Sequence, residues 1–100
     1  MIGYFIRSHP HGELLRADYI QVLYINSPPQ PHEDYKSYQL VAHSAYYSTV
    51  LFQHAKRKEV EAVENALLDL LSALSVSDTG GDVFKLKRLP RGNYEFVRER

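Results

Sequence analysis

From Lys56 to Leu74 the apolar residues Val60, Val63, Leu67, Leu70, Leu71 and Leu74 recur at three- and four-residue spacing, and no glycine or proline interrupts them. That spacing is the signature of a helix with one apolar stripe. Lys58, Glu61, Asn65, Asp69 and Ser72 fall on the opposite side, where water belongs. At 1.5 Å per residue the helix is about 28 Å long. Leu68 lies off the stripe and is free to touch a neighbouring loop or a second subunit. A single stripe of this kind must be covered by something else in the chain. That requirement limits the fold more than any other feature of the sequence.

The cover has to be a sheet, because the rest of the chain reads as strands. Tyr4–Arg7 is short and apolar, and Asp18–Asn26 is rich in β-formers before it stops at Ser27-Pro28-Pro29. Ser37–Ser44 and Tyr46–His54 are two further strands, forming a hairpin around Ser44-Ala45 or one long bent strand. After the helix, residues 75–82 form a loop. Asp82–Leu89 and Asn93–Glu99 are then strands joined at Pro90-Arg91-Gly92-Asn93, a hairpin turn. In the last strand Tyr94, Phe96 and Arg98 share one face. The expected fold is therefore α+β, in the order β-β-β-β-α-β-β. A mostly antiparallel sheet of about five or six strands is covered on one face by the helix. Its other face should be open and aromatic. Residues 8–17 read as a loop or as a turn of helix at Glu13–Ala17.

One hundred residues make a single domain, 1–100, with one modest core. The apolar share of 44% is that of a globular chain. Without cysteine there is no disulfide framework, thiolate zinc site, iron–sulfur cluster or thiol nucleophile. No apolar run approaches the ~20 residues that span a bilayer, and no apolar segment precedes Arg7 and Pro10 as a leader would require. The expectation is a cytoplasmic protein that meets no membrane.

The net charge is zero but segregated. Residues 59–82 carry six acids and no base, whereas residues 83–100 carry six bases against two acids, a net of plus four. Such blocks face each other within the fold or attract a partner. Eight tyrosines and no tryptophan suggest half-buried edges or interfaces.

Candidate chemistry is sparse. His9-Pro10-His11, with Glu13 close by, offers metal-ligand types, but a third ligand would have to come from folding. The proline and Gly12 make it a polar turn rather than a site. Asp78-Thr79-Gly80 spells the aspartic protease triad, yet it follows a long helix and leaves no room for a flap, so its glycines serve a turn. No nucleophile elbow or phosphate loop is present. Glu61 and Glu64 are read as surface charge. Pro28-Pro29-Gln30-Pro31 holds a Pro-x-x-Pro frame without the usual flanking base and reads as a stiff connection. The strand–helix–strand cadence from Tyr46 to Leu89 is generic and identifies no family.

The leading functional reading is a small non-enzymatic regulatory or accessory protein that acts through protein–protein contacts and self-associates as a dimer. Tyr46, Tyr47, Tyr94, Phe96 and Arg98 are its interface candidates, and no cofactor is implied. The alternative is a nucleic-acid-binding module in which Lys85, Lys87, Arg88, Arg91 and Arg98 hold phosphates while Phe84, Tyr94 and Phe96 stack bases. A third reading is a metal-dependent enzyme built on His9 and His11.

Overall fold

The structure is a computed structural model that describes residues 4–9, 12–27, 37–45, 47–74 and 81–99. Seven strands and one long helix follow the expected α+β order, with one very short strand in addition. They are β1 (Phe5–Arg7), β2 (Leu14–Arg16), β3 (Val22–Asn26), β4 (Tyr38–His43), β5 (Ser48–His54), α1 (Arg57–Ala73), β6 (Val83–Arg88) and β7 (Tyr94–Arg98). Short 3₁₀ turns occupy Ala17–Tyr19 and Pro90–Gly92. No helix among the described residues is long and apolar enough to cross a membrane.

The strands are shared between two sheets. One has the order β2-β1-β6-β7 and the other β3-β4-β5. All neighbours are antiparallel except β1 and β6, which pair in parallel, Phe5 with Val83 and Ile6 with Phe84. The extra strand, β2, occupies part of the stretch between 8 and 17. Ser44–Tyr47 is a hairpin turn, closed by the Ser44 amide donating to the Tyr47 carbonyl at 2.9 Å. The β6–β7 hairpin closes at Leu89 and Asn93, as the sequence predicts. Within it Arg91 and Gly92 both take positive φ, 66° and 75°, the left-handed region that glycine enters freely and arginine rarely.

The helix carries the expected stripe. Val60, Val63 and Leu67 are fully buried, while Leu70, Leu71 and Leu74 are half-buried against the same core. It packs on β7 and also on β3, β4 and β5, so it spans both sheets instead of lying on one face of a single sheet. Its N-terminus has no side-chain cap, because Lys56 carries no acceptor there.

A bulge in β5 joins the two sheets. The β4–β5 register shifts between Leu40 and Val41. Leu51 and Phe52 are consecutive and yet both buried, which strict strand alternation forbids. The end of β1 docks at that irregularity. The His9 amide donates to the Leu51 carbonyl at 2.9 Å, and the buried Ser8 hydroxyl donates to the Val50 carbonyl at 2.7 Å. One cluster of buried side chains results, from Tyr4, Ile6 and Leu15 through Leu40, Leu51 and Phe52 to Phe84 and Phe96.

Candidate functional site

Where β1 meets β5, the two sheets leave a cleft of about 230 Å³ lined by His9, Phe52, Gln53, His54, Leu86, Arg88 and Tyr94. Phe52 is its floor and is itself buried. Three rings pack around it. His9 and Tyr94 stand edge-on, at 5.4 and 5.5 Å between centroids, and His54 stacks nearly parallel at 6.2 Å. Each side chain reaches the cleft for a local reason. The turn after β1 brings in His9, and the last residues of β5 bring in Gln53 and His54. Leu86 and Arg88, two apart on β6, point to the same side. Tyr94 lies directly across from Arg88 in the β6–β7 register.

The hydrogen bonds set what these groups can do. His54 Nδ1 accepts the Lys56 amide at 3.0 Å, so in the neutral ring the proton sits on Nε2 and that nitrogen is a donor. Burial, with a hydrogen bond to Glu59 behind it, raises the Tyr94 hydroxyl above its ordinary pKa, while nearby Arg88 pulls the other way. Glu59 Oε2 is buried with no hydrogen-bond partner among the described residues. Arg88 forms no salt bridge among the described residues, whereas Arg7, Arg16, Arg57 and Arg98 each do. The cleft thus presents a guanidinium and two imidazoles over an apolar floor, with no carboxylate in its lining.

The residues singled out in the sequence scatter. Phe96 is 8% exposed and Tyr94 half-buried, both on the face of β7 turned toward the core. At Tyr94 and Phe96 the open aromatic face expected there is closed, because the helix packs on β7. Arg98 sits over the Phe84 ring at 5.7 Å and pairs with Asp82 at 3.4 Å. This is one contact between the acidic and basic blocks. Tyr47 is exposed, and Tyr46 lies outside the described residues. The basic candidates divide between two faces: Lys85 and Lys87 point away from the core, while Arg88 and Arg98 share the side of Phe84 and Leu86. Arg91 is exposed in the hairpin turn.

His9 is an exposed turn residue whose ring leans on Phe52, while His11 lies outside the described residues, as does Asp78-Thr79-Gly80. Among the described residues no three histidines or carboxylates converge in a way that could hold a metal.

Sequence reasoning missed the most exposed apolar strand. Strand β3 is an edge, hydrogen-bonded to β4 on one side only among the described residues. Val22 and Tyr24 project from it to solvent, 50% and 43% exposed. From Gln21 to Ser27 it carries no charge. The signal was present in that uncharged run, but nothing local shows which strand ends a sheet.

Compared with protein-family models, with curated proteins and with solved structures, the chain finds no match in any of the three.

Proposed function

We propose that this is a small non-enzymatic regulatory or accessory protein that works through protein–protein contacts and pairs with a second copy of itself along β3. The observation that carries the reading is the open, uncharged edge with Val22 and Tyr24 exposed. An unpaired row of backbone donors and acceptors is a template for another strand, and proteins that stay monomeric block it with lysine, proline or a bulge. Strand β3 has none of these between Val22 and Asn26. A second copy brings an identical edge, so about a two-fold axis the two strands run antiparallel and make one six-stranded sheet. Centred on Tyr24, such pairing sets the two Tyr24 rings opposite each other and Val22 opposite Asn26 of the other copy. Aromatic cross-strand pairs stabilise a sheet by roughly 0.2–1 kcal/mol each. No like charges meet.

Light scattering tests the reading. The expected result is a dimer that persists at high salt, converted to a monomer by Tyr24→Lys with the circular dichroism spectrum unchanged. A wild-type monomer at every concentration would overturn it.

The nucleic-acid reading has less support. Lys87 stands opposite Glu95, Arg7 holds Glu99 through two bonds of 3.0 and 3.1 Å, and the remaining cations face different ways. If it were correct, affinity for an oligonucleotide would fall steeply with salt as counterions are released.

A further inference from the structure

We propose that the cleft over Phe52 binds a small phosphate monoester, with its phosphate held by Arg88, His54 and His9 and its ester group packed against the apolar part of the lining at Leu86. This inference stands independently of the pairing along β3. Four observations converge on it.

First, the lining has donors and a fixed positive charge but no carboxylate. Second, Arg88 is a cation with no salt bridge among the described residues, fixed on a strand across from Tyr94. A guanidinium offers several N–H donors in a planar fork, which suits phosphate oxygens. Third, the bond from the Lys56 amide to His54 Nδ1 leaves Nε2–H as a donor even when that ring is neutral. Fourth, Glu59, the carboxylate that acts on the Tyr94 hydroxyl, is not among the groups lining the cleft. A carboxylate ligand has two oxygens and would leave part of this donor set unused. A phosphate monoester offers three peripheral oxygens to the three basic side chains. The cleft is also larger than an oxyanion needs, and its floor is apolar. Binding sites of this kind pair an apolar surface with a few converging polar groups.

The test is titration of the full chain with phenyl phosphate, followed by isothermal calorimetry and by the histidine ring resonances in proton NMR. Saturable one-to-one binding that shifts the His9 and His54 signals is expected, with inorganic phosphate and benzoate both weaker. Arg88→Ala should reduce affinity at least about ten-fold, since it removes the one fixed charge in the lining. Lys87→Ala, on the opposite face of the same strand, should leave it unchanged. Absence of saturable binding would overturn the proposal. So would equal losses in the two variants, which would mean attraction to general positive charge. Inorganic phosphate binding as tightly as phenyl phosphate would remove the ester-group half of it.

Discussion

Tyr4 ties the start of the described chain to the end of the helix and to β6. Its side chain is buried beside Phe84, with ring centroids 5.5 Å apart, and its hydroxyl donates to the Leu74 carbonyl at 3.2 Å. That carbonyl lies just past the last turn of the helix, where backbone acceptors lack partners within the helix itself. Tyr4→Phe keeps the ring and removes the bond, so it should cost about 1 kcal/mol in urea-induced unfolding. Burial also raises the Tyr4 pKa above the ordinary tyrosine value, and burial is the largest cause for Tyr94 as well. The folded state then holds these protons more tightly than the unfolded state does. Stability is therefore unaffected below the ordinary tyrosine pKa and falls as pH rises through it toward the raised folded values. Melting temperatures measured up the alkaline range should drop from about pH 10. The Tyr4→Phe, Tyr94→Phe double variant should flatten the drop, and an equally steep fall in that variant would exclude both residues as its source.

Among the elements, the helix depends on its buried stripe and has no capping bond at its start. Lys56 has extended backbone geometry, as an N-cap residue should, but its side chain cannot accept a hydrogen bond. Lys56→Ser should supply the missing acceptor and stabilise the protein by about 0.5–2 kcal/mol, read from the denaturant midpoint at constant slope. The helix was legible because Val60, Val63 and Leu67 repeat with the period of a turn, and nothing in the tertiary structure opposes that preference. The longer strands were legible because Val22–Asn26 and Ser48–His54 are rich in β-formers between turn residues. Strand β2 was not. Leu14-Leu15-Arg16 is too short to show a period and is held by its pairing with β1. The division into two sheets was equally hidden, since it depends on the Leu51 bulge and on where β1 docks. The cleft could not be read locally either. His9, Phe52, His54, Arg88 and Tyr94 come from four separate stretches, and only the double burial of Leu51 and Phe52 brings them together. The motif that drew attention, His9-Pro10-His11, contributed one ring to the site in a role that spacing alone does not suggest.

At the scale of the whole molecule, the two sheets share one core and one helix, and the Ser8 and His9 bonds tie the end of β1 to β5. They should unfold together. Far-ultraviolet circular dichroism, which follows the helix, and tyrosine fluorescence, which follows the packed rings, should give superimposable urea transitions. Two separated transitions would mean that the sheets are independent units. Phe52 occupies the junction, so Phe52→Ala should remove about 3–5 kcal/mol, a large part of the stability a domain of this size can have.

The parallel pairing of β1 with β6 has a consequence for how the protein is made. Phe5 and Ile6 meet Val83 and Phe84, and Arg7 reaches Glu99, so β1 must wait for β6. On the ribosome, β3, β4 and β5 can pair with one another soon after they emerge. The β1–β2 pair has no third strand until β6 has left the exit tunnel, at a synthesis rate of about 5–20 residues per second. For that interval Ile6 and Leu15 have an incomplete shelter. Closure of a loop this long also delays the final collapse. The β3–β4–β5 sheet is thus made of neighbours in sequence, while the sheet of β1 and β2 is completed only by strands that follow the helix.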